Sequence, residues 1–304
     1  AGGAQHVLHA RLVAEVARLV DVHPADRELL AHAAAQPVDI LVLAVPPHIL
    51  RQERVAVEGD GGAHRAGLFD RGERLVTLTG VGGIGKTQLA VEFVHRYGPF
   101  FPGGVFWLSF AASAGVAGEV AACGGPAGLN LPAFADLAQP DQVARVRHLW
   151  QEPNPSLLVF DNCEDEALLA EWRPSSGGSR VLITTRRAQW DDALGITACA
   201  LGVLARAESL ALLLRFRPDL PTGDPSLDAI AVELGDLPLA LHLAGSYLKL
   251  NLYDLSPDDY LADLRAAVLL AHPSLEGQDL TVSPTNHLLH VGRTFALSYD
   301  QLDD

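Results

Sequence analysis

Apolar and polar positions along this chain alternate between strand-length runs and helical spacing from about residue 75 to 203, and follow a helical period beyond it. Leu75-Val76-Thr77-Leu78-Thr79 is an apolar, β-branched run of strand length. A glycine-rich turn separates it from Thr87 to Tyr97, where Leu89, Ala90, Phe93 and Val94 form one helical stripe. Short apolar runs recur at Val105 to Leu108, Leu157 to Phe160 and Val181 to Thr185, with intervals long enough for crossover helices. Strands alternating with helices predict an α/β fold, a parallel sheet covered by helices on both faces. Beyond about residue 203 the spacing becomes helical, over Ala207 to Phe216, Leu227 to Leu234, Pro238 to Leu250 and Pro257 to Leu270. Pro238 and Pro257 stand in a first turn, where proline is tolerated. A small all-helical domain is therefore expected after the sheet.

Ahead of this regular part, His6 to Val20 and Pro24 to Gln36 carry helix-like spacing, and Val38 to Val45 reads as a buried strand stopped by Pro46-Pro47. These residues are either the tail of a preceding domain or a linker. Ala56 to Gly72 is rich in glycine and charge, with Gly59-Asp60-Gly61-Gly62 as its clearest turn. No internal repeat stands out.

Composition narrows the function classes. With 304 residues, 49% of them hydrophobic, and 3 cysteines, the chain is neither a disordered polymer nor a disulfide-stapled miniprotein. A formal charge of −15 without a basic run argues against nucleic acid as the partner of this segment. No apolar run reaches the roughly 18 residues of a membrane span and no secretory signal opens the chain, so a cytoplasmic location without a membrane partner is expected. The absence of Met, position 1 included, marks the chain as a piece of a longer one. Cys123, Cys163 and Cys199 form no C-x-x-C pair and read as buried thiols. The pairs His6 with His9 and His287 with His290 lack a third metal ligand, and Ser109, Ser246 and Ser298 lack a nucleophile elbow. Phe93, Phe106, Trp107 and Phe160 are assigned to the core.

The strongest chemical signal is Gly80-Val81-Gly82-Gly83-Ile84-Gly85-Lys86-Thr87, which fits G-x-x-x-x-G-K-[ST] directly after a strand and directly before a helix. Phosphates need converging donors with no side chains in the way. Gly80, Gly82, Gly83 and Gly85 let the backbone fold into a nest of N–H groups, and the following helix N-terminus adds positive potential. Lys86 reaches the outer phosphates and the Thr87 hydroxyl takes a Mg²⁺ position. Ile84 and Gln88 complete the candidate nucleotide contacts of this loop.

Leu157 to Asp161 delivers one carboxylate at a strand's C-terminal end, where ligands of open parallel sheets sit, and Asp161 pairs with Thr87 as a candidate for Mg²⁺. The next residue is Asn162, where many P-loop ATPases carry a second carboxylate to polarise water. Glu164 or Asp165 is the available substitute, and slow hydrolysis is expected. Arg180 to Arg187 is another buried strand ending in hydroxyls and guanidinium groups. If it lies beside the first strand, Arg186 reaches the terminal phosphate. Arg187 reads as a surface residue. Lys86, Asp161 and Arg186 are the candidate catalytic set.

With Gly235-Asp236-Leu237-Pro238-Leu239-Ala240-Leu241 as a fourth motif, the chain resembles the NB-ARC branch of the STAND-class P-loop NTPases over roughly residues 49 to 304. The resemblance implies ADP or ATP with Mg²⁺ as cofactors, Pro238 and the adjoining Leu239 at the base, and an ARC1-like helical domain. It also implies that Arg293 to Leu302 opens a winged-helix domain. The expected division is residues 1–48 as linker or effector tail, 49–202 as the nucleotide-binding domain, 203–280 as the helical domain and 281–304 as the start of the winged helix. Where relatives carry a V-G-R-E-like segment this chain has Ile49-Leu50-Arg51-Gln52-Glu53, and Asp236 replaces a commoner neutral residue. The high ratio of Arg to Lys suggests a bacterial source.

Two function classes follow. One is a nucleotide-gated switch that controls signalling, defence or transcription through flanking sensor and effector domains, with a homo-oligomer in its ATP state. The other is an AAA+-like motor with steady turnover. A nucleotide-binding scaffold without hydrolysis is a third.

Overall fold

The computed structural model describes residues 74–266. The expectations for residues 1–48, for Ile49 to Glu53, for both histidine pairs, for Ser298 and for the winged helix lie outside the described residues. Five strands, β1 (Leu75–Thr79), β2 (Val105–Ser109), β3 (Leu157–Asp161), β4 (Arg180–Thr185) and β5 (Ile196–Ala200), form one sheet in the order β2-β3-β4-β1-β5. Every pairing is parallel. Helices α1 (Lys86–Tyr97), α2 (Val116–Cys123), α3 (Gln139–Trp150) and α4 (Glu166–Trp172) connect the strands. After β5 come α5 (Arg206–Phe216), α6 (Pro225–Glu233), α7 (Pro238–Leu250) and α8 (Pro257–Ala266).

The period of two along each strand sorts the core into two layers. Val76, Leu78, Leu157, Val159 and Leu182 pack with Leu89, Phe93 and Val94 of α1 on one face. Leu158, Phe160, Val181 and Ile183 pack with Val120, Val146, Trp150 and Leu169 of α2, α3 and α4 on the other. Burial on both faces explains why these strands read as continuous apolar runs. Phe93, Phe106 and Phe160 are buried as expected, and Trp107 packs on the first layer while half-buried.

Two sequence expectations need correction. β5 carries no strand signal, because its residues are half-buried or exposed, unlike those of the other edge strand, β2, which buries Phe106 and Leu108. The expected three buried thiols reduce to Cys163, since Cys123 at the end of α2 and Cys199 on the edge strand are only partly buried.

A third apolar cluster joins α5, α6, α7 and α8 through Leu213, Ile230, Leu241, Leu243 and Tyr260, and Ile84 of the glycine-rich loop inserts into it. Caps set the helix starts. The Asp165 carboxylate accepts from Ala167 and Leu168 N–H at 2.7 and 3.2 Å, and Asp224 does the same for α6. The connection from β5 to α5 stays close to the sheet, where Leu201 N–H donates to the Thr79 carbonyl at 2.8 Å and Leu204 N–H to that of Asp236 at 3.1 Å.

Candidate functional site

The loop between β1 and α1 takes its shape from backbone conformations that favour glycine. Gly80 has φ 146°, and a Cβ there would lie 2.9 Å from the Leu201 carbonyl oxygen. Gly83 has φ 76°, and a Cβ there would lie 3.0 Å from the Cβ of Leu239. Gly85, with φ 101°, starts α1 and no side chain caps the helix. The open donors of the first turn, with the helix dipole behind them, are what an anion requires. Gln88 is exposed on this turn and Ile84 is buried.

Lys86 folds back across the loop and donates from Nζ to the carbonyl oxygens of Gly80 at 2.7 Å and Val81 at 3.0 Å. Burial lowers its pKa to about 8, opposed by the charge of Glu164, reinforced by Arg186 and opposed again by Asp161.

Beside it, Thr87 Oγ1 donates to Asp161 Oδ1 at 2.9 Å, and Thr184 Oγ1 donates to the same oxygen at 2.6 Å. Asn162 N–H in turn donates to Thr184 Oγ1 at 2.9 Å, with Asn162 in the left-handed region at φ 60°. One hydroxyl and one carboxylate side by side suit Mg²⁺, an oxygen-seeking ion that keeps several of its waters. Asp161 is 5% exposed, so its orientation is fixed by the neighbouring strand rather than by solvent.

β4 lies between β3 and β1, so its end faces both the acidic strand and the phosphate loop. Here the candidate substitutes for a second carboxylate have other partners. Asp165 caps α4. Glu164 accepts from Thr185 Oγ1 at 2.9 Å, from Arg186 N–H at 3.0 and 3.1 Å, from Arg187 N–H at 3.2 Å and from Arg186 Nε at 3.2 Å. Arg187 is exposed as expected, pairs with Glu166 at 3.0 Å and lies over the Trp190 ring.

Pro238 opens α7, and the next residue, Leu239, donates its N–H to the Gly83 carbonyl at 3.2 Å. Leu237 and Leu239 side chains stand over Gly83. Asp236 has φ 57° and an ion pair with Arg206 at 2.9 Å.

The structure therefore brings Lys86, Thr87, Asp161 and Arg186 together at the carboxyl ends of β1, β3 and β4, and sets Pro238 and Leu239 against the loop. Glu164, with Asp165 one of the two expected substitutes for a second carboxylate, and Thr184, which the sequence does not single out, join this group. An acidic residue a few positions after Asp161 was the one signal available for the first.

No family model matches the chain. It is 29% identical over 236 residues to the regulatory protein AfsR of Streptomyces griseus, covering 74% of this chain and 22% of that protein. To AfsR of Streptomyces coelicolor it is 30% identical over 176 residues, covering 56% of this chain and 18% of that protein. The chain thus spans about a fifth of the length of these relatives. Among solved structures, Cdc6p from Pyrobaculum aerophilum superposes with a TM-score of 0.42 at 16% identity, over 58% of this chain and 56% of that one. C. elegans PCH-2 superposes with a TM-score of 0.35 at 14% identity, over 77% and 64%. The described residues form a five-stranded parallel sheet flanked by helices, with the glycine-rich loop between β1 and α1, and no helix among them is long and apolar enough to cross a membrane.

Proposed function

We propose that this chain is the nucleotide-gated switch segment of a larger regulator, of the NB-ARC, STAND-class type, binding ADP or ATP with Mg²⁺. The observation that carries this reading is the seating of the proline-led helix α7 on the phosphate loop, through Leu239 N–H and the Gly83 carbonyl. A ligand held by the loop therefore lies at the seam between the sheet and the helical unit, where a change in its phosphate number biases their separation.

The bound nucleotide supplies the polyphosphate charge and the base. Lys86, the loop N–H groups of Gly80 to Gln88 and Arg186 would bind the phosphates. Thr87 and Asp161 would hold Mg²⁺, and Pro238 with Leu239 would close over the base. Residues 49–202 and 203–280 are the two units of the switch, with 1–48 and 281–304 leading to flanking sensor and effector domains. A homo-oligomer in the ATP state belongs to the same reading. The relatives' name as regulatory proteins agrees with a role in control rather than in bulk catalysis.

The test is to purify the 304-residue chain, extract it and identify any co-purifying nucleotide, then titrate MgADP into wild type and Lys86→Ala. Bound ADP, and an affinity at least about tenfold weaker in the variant, is the expected outcome. Wild-type affinity in Lys86→Ala would overturn the reading.

A further inference from the structure

We propose that Glu164 sets the preference of the site for diphosphate over triphosphate, by competing for Arg186 against a terminal phosphate. This rests on the nucleotide reading above. The carboxylate stands just beyond the end of β3, and β4 beside it brings Thr185, Arg186 and Arg187 to it. It gathers the Thr185 hydroxyl, the backbone N–H groups of Arg186 and Arg187, and Nε of the Arg186 guanidinium, at 2.9 to 3.2 Å. With so many donors converging on its two oxygens, Glu164 is well placed to hold a cation.

The geometry ties this carboxylate to the phosphate site. Arg186 follows the strand next to β1, whose end starts the phosphate loop. Lys86 also feels Glu164 as its largest opposing charge, ahead of Asp161. Both cations that would read outer phosphates therefore answer to one carboxylate, Arg186 through a hydrogen bond and Lys86 through space. A third phosphate adds charge where Glu164 already neutralises the guanidinium, so it gains less than it would from an uncompensated arginine. A diphosphate, held mainly by the loop and Lys86, forgoes little. The Glu164 and Arg186 side chains are 23% and 20% exposed, which leaves their attraction only partly screened.

Calorimetric titration of MgADP and of a non-hydrolysable MgATP analogue tests this in wild type, Glu164→Gln, Arg186→Ala and the double variant. Glu164→Gln keeps an acceptor oxygen for Thr185 and the backbone while removing the charge. The expected result is a gain of about fivefold for the triphosphate relative to the diphosphate, and its disappearance in the Arg186→Ala background. Glu164→Asp, which retracts the carboxylate by one methylene, gives a smaller gain in the same direction and serves if Glu164→Gln does not fold. An unchanged ratio, equal weakening of both nucleotides, or a gain that persists without Arg186 would each overturn the proposal. Failure of wild type to bind either nucleotide would instead remove the nucleotide reading on which it rests.

Discussion

Lys86 has a partly buried ammonium whose pKa is lowered to about 8, with desolvation as the first cause and the Glu164 charge working against it. Because this lies below the ordinary value of 10.5, the free folded protein binds fewer protons than the unfolded chain between about pH 8 and 10.5. The Lys86 contribution to folding stability therefore rises with pH across that window. Nucleotide binding has the opposite sign: phosphates beside Lys86 favour its charged form, so binding takes up a proton above pH 8. Affinity is expected to fall as pH increases beyond 8, by up to about tenfold per unit. Calorimetry at pH 8.5 in two buffers of different ionisation enthalpy checks this, and identical heats would show that Lys86 is not titrating there. The glycines, Lys86 and Asp161 were legible in the sequence because each lies in a contiguous motif.

At the scale of elements, the two neighbouring carboxylates after β3 have different work. Asp165 belongs to α4, where it caps Ala167 and Leu168 N–H. Asp165→Ala should cost about 1 kcal/mol of stability, read as a lower urea midpoint at constant slope, with nucleotide affinity unchanged. A loss of affinity larger than the loss of stability would place Asp165 in the site. Strands β1 to β4 and helices α1, α5, α6 and α7 were legible from their periods, within a residue or two at their ends, whereas α2, α3 and α4 were legible only as intervals long enough for crossover helices. β5 was not, since none of its residues is fully buried and it needs no continuous apolar run, whereas the other edge strand, β2, buries Phe106 and Leu108. The Gly235-to-Leu241 motif announced the start of α7, but its seat on Gly83 could not be read from spacing.

For the molecule as a whole, the phosphate loop is shared property: its backbone leads from the sheet while Ile84 is buried in the helical cluster. A motor would need a group to activate water and frequent opening of that seam. Neither is favoured by Asn162, by the engaged Glu164 and Asp165, or by Leu239 bonded to Gly83. Steady-state phosphate release is expected below about one per second, and turnover above a few per second would favour the motor class. The amino-acid sequence alone determined the α/β order, the helical tail and the glycine-rich loop between β1 and α1, because strand and helix periods and a glycine-rich turn are encoded by neighbours along the chain. Only the tertiary structure decided what Glu164, Thr184 and Leu239 touch. Parallel pairing of β3 with β4 and packing of α7 on the loop join residues distant in sequence, and such contacts carry no local signature.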